Sequence, residues 1–282
     1  MKKVSIIVRT STRYRLLERC LEDIKNQTYR DWIILLINDG GDKNKIEELV
    51  NKAHLEREEC KLFHLQANQG LHKAINVGAR ATETVYVVVH DDDDTWHPMF
   101  LEKTIGYLEG HLACKGLITH SNKVFEKITD TGIKIKRIRP FNDRLRGVIS
   151  MYDMLKNNLF SPISFIYRSE IYKEIGYFNE ALQMLEDWEF NIRFLEHYDI
   201  EILEEKLANY HIRVKDKTIE QSYRNTVTSK KKLHQKYDTI IRNTYLRRDL
   251  KNDEIGVGVL MNIIKWSDSK AVSWIKKVTK RA

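Results

Sequence analysis

At 282 residues with 42% apolar content the chain can bury a sizeable core of ordinary globular composition, and it contains no run of 18 apolar residues to cross a membrane. The net charge of +8 sits in the tail, where residues 220–282 hold 15 Lys and Arg against 6 Asp and Glu; no nucleic-acid-binding motif accompanies it, so a nucleic-acid partner is disfavoured. Cys20, Cys60 and Cys114 are odd in number and too far apart for a zinc motif, and no basic start precedes an apolar run near Met1, so a reducing, cytosolic compartment is expected. Val4-Ser5-Ile6-Ile7-Val8 reads as a first strand. Leu16, Leu17, Cys20, Leu21 and Ile24 then recur at helical spacing and predict a helix over 16–26. A second strand at Trp32 to Ile37 ends in Asn38-Asp39-Gly40-Gly41, Ile46 to Ala53 suits a second helix, Leu62 to Leu65 a third strand, and Leu71 to Arg80 a third helix. The fourth strand is the apolar run Val85 to Val89. Strands alternating with helices at this spacing predict an α/β fold with a parallel sheet wound by right-handed crossovers. No Gly-x-Gly-x-x-Gly follows the first strand, which opens into Arg9-Thr10-Ser11-Thr12-Arg13, so a dinucleotide-binding enzyme is disfavoured.

The fourth strand runs straight into His90-Asp91-Asp92-Asp93-Asp94-Thr95-Trp96-His97-Pro98. A β-branched run of this kind is buried on both faces, which puts the acids at its carboxyl end, where open α/β sheets bind ligands. Adjacent carboxylates repel and must be solvated or neutralised. A divalent cation with hard oxygen ligands neutralises them well, and a solvated acidic loop is the competing reading. Further on, Trp188, Ile192 and Leu195 share one helix face, so Glu186 and Asp187 fall at that helix's N-terminus, where the dipole favours carboxylates.

Taken in order, Val4 to Thr10, Asn38-Asp39-Gly40, Asn68-Gln69-Gly70 through Asn76-Val77-Gly78, Asp91 to Pro98 and Leu185-Glu186-Asp187-Trp188 resemble the successive motifs of family 2 glycosyltransferases, over about residues 4 to 215. The resemblance implies a GT-A type fold, a Rossmann-like, mostly parallel sheet flanked by helices. It also implies a nucleotide-sugar donor, expected to be a UDP-sugar, and inversion at the anomeric centre. Mn or Mg would be coordinated by Asp93, with Asp91 touching metal and ribose and Asp92 grouped with it in donor binding. Asp39 would accept from the nucleotide base with Thr10 nearby. Lys73 would approach the base or phosphates, an exposed helix lysine being the plainer alternative. Asp187 takes the role of general base, Glu186 that of orienting the acceptor, and Trp188 offers a stacking wall for a sugar, with core packing as the competing fate. Two departures stand out: the family's Asp-Asp-Gly is Asn38-Asp39-Gly40 here, and its Pro before Thr is Arg9. Many members carry Tyr-Arg-x-His where this chain reads Tyr210-His211-Ile212-Arg213. Residues two apart on an extended segment point the same way, so His211 is expected on the metal and Arg213 on the diphosphate; a core histidine beside Tyr210 is the alternative.

The expected organisation is a catalytic domain over 1–219, divided into a nucleotide-binding half (1–114) and an acceptor-side half (115–219), followed by a basic helical extension over 220–282. Val214 to Asn225 suits a lid over the diphosphate. Within the tail, Lys230-Lys231-Lys232, Arg247-Arg248 and the segment from Met261 to Ala282 alternate bases with Leu, Ile, Val and Trp, a pattern for an anionic membrane surface with Trp266 and Trp274 as anchors, or for packing on the domain or a second subunit. The resulting expectation is a metal-dependent inverting glycosyltransferase serving a glycan or lipid-linked acceptor in bacterial surface polysaccharide biosynthesis, cytoplasmic and peripheral on the inner face of the membrane. A sugar nucleotidyltransferase would need a Gly-rich, Arg-bearing loop after the first strand that Arg9 to Arg13 does not supply. A non-catalytic carbohydrate- or metal-binding module would have no need of Asp187.

Overall fold

The computed structural model describes residues 2–129, 131–214, 223 and 231–267. Strands β1 (Val4–Thr10), β2 (Trp32–Asp39), β3 (Cys60–Leu65) and β4 (Tyr86–Asp91) pair in parallel in the order β3-β2-β1-β4. Between them lie α1 (Tyr14–Lys25), α2 (Lys43–Lys52) and α3 (Leu71–Arg80). Asp42 starts α2 by accepting from the Asn44 and Lys45 amides at 2.9 and 3.2 Å, satisfying donors that a helix start leaves open. Both faces of β1 are buried. Val4, Ile6 and Val8 pack with Leu17, Leu21 and Ile24 of α1, whereas Ile7 looks the other way, toward Ala74, Ile75 and Ala79 of α3. Each such side chain contributes roughly 1.5–3 kcal/mol when fully buried. On α3, Gly78 lets the helix settle onto the sheet: a Cβ there would lie 2.6 Å from Ile7 Cγ2.

Beyond β4 the simple winding stops. β8 (Phe165–Arg168) pairs antiparallel with β4, and β6 (Gly116–Thr129) antiparallel with β8. β9 (Ile200–Arg213) runs parallel to β6, and the short β5 (Thr95–Trp96) is antiparallel to β9. β7 (Gly132–Pro140) leaves this path and pairs with β6 as an antiparallel hairpin. The sheet is therefore parallel in its first half and mixed in its second. α4 (Phe100–Gly110) joins α1 and α2 on one face; α5 (Met151–Lys156) and α7 (Glu186–Leu195) join α3 on the other, with α6 (Ile171–Ile175) beside α7.

The expected break at 220 is not a break in packing. Tyr237, Ile241 and Tyr245 of α8 (Lys231–Asn252), with Met261 and Ile264 of the helix over 257–267, are buried in the same core as Trp188, Phe190 and Met154. Arg242 of α8 donates to the Leu155 and Lys156 carbonyls, at 3.1 and 3.3 Å, at the C-terminal end of α5, and its guanidinium lies 5.1 Å over the Trp188 ring. Trp266 is exposed, while Trp274 and most of the expected lid lie outside the described residues. No helix among the described residues is long and apolar enough to cross a membrane.

Candidate active site

Successive crossovers from β1 lead outward to β2 and β3, and the chain then returns to place β4 on the other side of β1. The strand order reverses between β1 and β4, and the carboxyl ends of these two strands flank the crevice such a reversal opens. Arg9, Thr10 and Arg13 come from the β1 end and Asp91 to Asp94 from the β4 end. A cleft of about 360 Å³ opens over them, closed on its far side by Asn158, Phe160 to Pro162, Gln183 to Asp187, Tyr210, His211, Arg213 and His234 of α8.

The four acids have four different environments. Asp91 faces the cleft and accepts from Arg9 Nε at 2.9 Å. Asp92 turns inward and is fully buried, accepting from the Thr10 hydroxyl at 2.7 Å and pairing with Arg13. Asp93 returns to the cleft between Arg13, at 2.9 Å, and Arg213. Asp94 accepts from the His211 amide at 2.7 Å. One carboxylate oxygen from each of Asp91, Asp93 and Asp94 lies within 4.8 Å of the others. Burial would raise Asp93, but the Arg13 and Arg213 guanidiniums hold it well below the usual carboxylate range. Asp94 is pushed well up by burial, then by the charges of Asp93 and Asp91. A triangle of hard oxygen donors with one member pushed toward its protonated form by burial and by its neighbours fits a divalent cation that prefers oxygen ligands, which would relieve that repulsion.

Across the cleft, Leu185 takes a left-handed backbone (φ +65°) and turns Glu186 and Asp187 into the opening as the first residues of α7. Asp187 accepts from Asn158 Nδ2 and from the Trp188 amide, both at 2.8 Å. Burial and then the adjacent Glu186 push Asp187 up to about 7. Burial acts on Glu186 in the same sense, but the His72 imidazole, 3.4 Å away, and Arg9 more than offset it, so Glu186 stays below its ordinary value. Two adjacent carboxyls driven apart in this way divide the labour: Glu186 remains an anion and Asp187 can exchange a proton near neutral pH.

Several expected site residues are placed elsewhere. Trp188 is buried in the core with its indole N–H on the Met154 carbonyl at 2.7 Å, so it offers no stacking wall. Asp92 and Thr10 satisfy one another beneath the cleft floor and are not among its lining residues. Both oxygens of Asp39 hold the backbone at the start of α3, accepting from the Gln69 and Gly70 amides at 2.7 and 3.1 Å. Lys73 is exposed on α3, away from the cleft. His211 does line the cleft, but its Nδ1 is on Glu126 at 2.6 Å and its Nε2 on the Thr95 hydroxyl at 2.9 Å, which ties the ring to β6 and β5 rather than to the acid triangle. Arg213, by contrast, does reach the site. Sequence reasoning missed Arg9, Arg13 and Asn158. The two arginines carried a signal, two cations at the carboxyl end of a strand facing an acid quartet, whereas Asn158 carried none.

The model of Glycosyl transferase family 2 matches residues 5–176. The glycosyltransferase YwdF of Bacillus subtilis (strain 168) is 28% identical over 203 residues, covering 70% of each chain. The PGL/p-HBAD biosynthesis glycosyltransferase Rv2957 of Mycobacterium tuberculosis (strain ATCC 25618 / H37Rv) is 26% identical over 190 residues, 67% of this chain and 68% of that one. Among solved structures, S. aureus TarS 1–349 in complex with UDP-GlcNAc superposes with a TM-score of 0.61 at 19% identity, over 76% of this chain and 60% of that one. The mannosyltransferase PcManGT of Pyrobaculum calidifontis, in complex with GDP-Man and Mn2+, gives 0.54 at 15% identity, over 74% of this chain and 56% of that one. These two share the GT-A fold seen here and extend well beyond the length this chain covers. The family match spans more than half of the chain, from β1 through the acid quartet to α6, and the chain belongs to glycosyl transferase family 2.

Proposed function

We propose that the protein moves a sugar from a nucleotide-sugar donor, a UDP-sugar, to a hydroxyl of a glycan or lipid-linked acceptor, with inversion at the anomeric carbon. The observation that carries this reading is Asp187, held near neutral pKa across one cleft from the Asp91, Asp93 and Asp94 triangle. The acceptor oxygen bonds to the anomeric carbon as the bond from that carbon to the diphosphate oxygen breaks. Its proton passes to Asp187, and the nucleoside diphosphate leaves with the bonding electrons. Glu186, kept anionic, orients the acceptor through a second hydroxyl.

Departure of the diphosphate needs positive charge. A Mn or Mg ion held by Asp91 and Asp93, with Asp94 behind them, supplies electrostatic stabilisation of the leaving group when bound. Arg213 and Arg13 now lie on Asp93, and a cation there would free their guanidiniums to face phosphate oxygens, which their planar forks suit. Arg9, which lines the cleft, keeps one buried guanidinium nitrogen, Nη1, without a hydrogen-bond partner among the described residues, a spare donor for a phosphate oxygen. The UDP-GlcNAc and GDP-Man complexes of the structural neighbours support a nucleotide-sugar donor, and the PGL/p-HBAD biosynthesis name of the mycobacterial relative supports a biosynthetic transfer, which this reading assigns to surface polysaccharide assembly at the cytoplasmic face of the membrane.

The test is a panel of nucleotide sugars incubated with the protein and Mn2+, reading release of nucleoside diphosphate. Slow hydrolysis of a UDP-sugar that stops on chelation supports the reading; neither release nor binding of any nucleotide sugar, with either metal, contradicts it.

A further inference from the structure

β7 reads Gly-Ile-Lys-Ile-Lys-Arg-Ile-Arg-Pro, with four bases and no acid. In the ladder with β6, Ile128 faces Ile133, Glu126 faces Ile135 and Val124 faces Ile138, because the register slips between Phe125 and Glu126 and leaves Lys136 as an extra residue. Val124, Glu126 and Ile128 alternate along β6, and cross-strand partners share a face. The bulge therefore keeps Ile133, Ile135 and Ile138 on one face; without it Ile138 would turn to the side of Lys134. Ile135 and Ile138 are 59% and 56% exposed, an apolar stripe standing in solvent.

Lys134, Arg137 and Arg139 face Lys127, Phe125 and Lys123 on the opposite side of the ribbon, and Lys136 is the extra residue of the bulge. All four are exposed on the edge strand, where long basic side chains can reach round it to the apolar side, and none pairs with a carboxylate among the described residues. Among the described residues, the neighbouring acids Glu126 and Asp143 are already neutralised by Arg19 and Lys206. A soluble polyanion would engage the bases and leave the isoleucines wet. A bilayer interface accepts both, anionic headgroups for the bases and the acyl boundary for the stripe.

We propose that the β6–β7 hairpin seats the protein on an anionic membrane surface. Ile135 and Ile138 enter the headgroup boundary, and Lys134, Lys136, Arg137 and Arg139 meet the lipid phosphates. The hairpin rises from the cleft rim, since Lys123 faces Arg139 across the ladder and both Lys123 and Phe141 line the cleft, so a docked hairpin brings the cleft mouth to the lipid surface. This inference stands apart from the reaction assigned to the cleft.

Co-sedimentation of the full-length protein with phosphatidylcholine vesicles, with and without about 30% phosphatidylglycerol, tests it. Wild type should bind the anionic vesicles and lose binding about 10-fold or more on neutral ones. The charge-preserving pair Ile135→Ser and Ile138→Ser should weaken anionic-vesicle binding about 10-fold, as should Lys134→Gln with Arg139→Gln, each with unchanged circular dichroism. Wild-type binding by both variants, or no binding of wild type to anionic vesicles, would overturn the proposal. So would light scattering showing a wild-type dimer that the isoleucine variants convert to monomer, which would assign the stripe to a second copy of the chain.

Discussion

Leu185 holds a backbone conformation that costs a branched residue on the order of 1–2 kcal/mol, and what it secures is the aim of the two acids after it. If Asp187 is the base, Asp187→Asn should keep nucleoside diphosphate binding while lowering turnover by at least about 100-fold, and the wild-type rate should fall on the acid side with an apparent pKa near about 7. The same shift has a stability sign. Asp187 binds its proton more tightly folded than unfolded, so its unfavourable contribution is absent below about 4, grows as pH rises, and is complete above about 7. Thermal melts should find Asp187→Asn more stable than wild type at pH ~8 and equal to it at pH ~4. His211→Ala should behave oppositely to a ligand mutant. It should cost about 1–3 kcal/mol by leaving buried Glu126 short of a partner, and the metal requirement should stay within about 3-fold of wild type. Asp187 and the acid quartet could be read from the sequence because each sits in a contiguous motif. The partners of His211 could not, since Glu126 is 85 residues away and no spacing announces a contact that the β6–β9 pairing creates.

At the scale of elements, β1, β2, β4 and α1 to α3 were legible because strands buried on both faces are written as nearly unbroken apolar runs and their helices as one-sided stripes, whereas β3, only partly buried, was legible just over Leu62 to Leu65. β6 and β9 were not. Each is 14 residues long; β9 alternates buried with exposed or charged positions, β6 opens on six buried residues that mix Gly116, Thr119, His120 and Ser121 with apolar ones, and β7 is nearly all exposed, so none carries the apolar run that marked β1, β2 and β4. The resemblance to a known family supplied the acceptor half's position but not its mixed pairing. One helix–sheet contact allows a sharp check: Gly78→Ala would push α3 off Ile7 and Ile37, and urea unfolding should show a loss of about 1–3 kcal/mol with the fold retained.

For the whole molecule, composition separated a basic tail from a neutral catalytic part, and charge was a poor guide to packing. The bases of α8 other than the buried Arg242 line its outer side, while Tyr237, Ile241 and Tyr245 are buried against the domain. His234 of the same helix lines the cleft, so α8 is part of the catalytic unit. Truncation after Asn225 should therefore give protein that aggregates or melts well below wild type, and Arg242→Ala alone should cost about 2–4 kcal/mol through its lost buried carbonyl contacts. Full stability of the truncated protein would restore the tail as an independent appendage.

The account rests most heavily on the acid triangle at the β1–β4 switch point as a metal-borne diphosphate site, and isothermal calorimetry of UDP with the full-length protein tests it without any acceptor. Wild type should bind UDP at least about 10-fold more tightly with Mn2+ than with chelator, and Asp93→Ala should lose that gain while remaining folded. UDP binding that is indifferent both to metal and to Asp93 would contradict the claim.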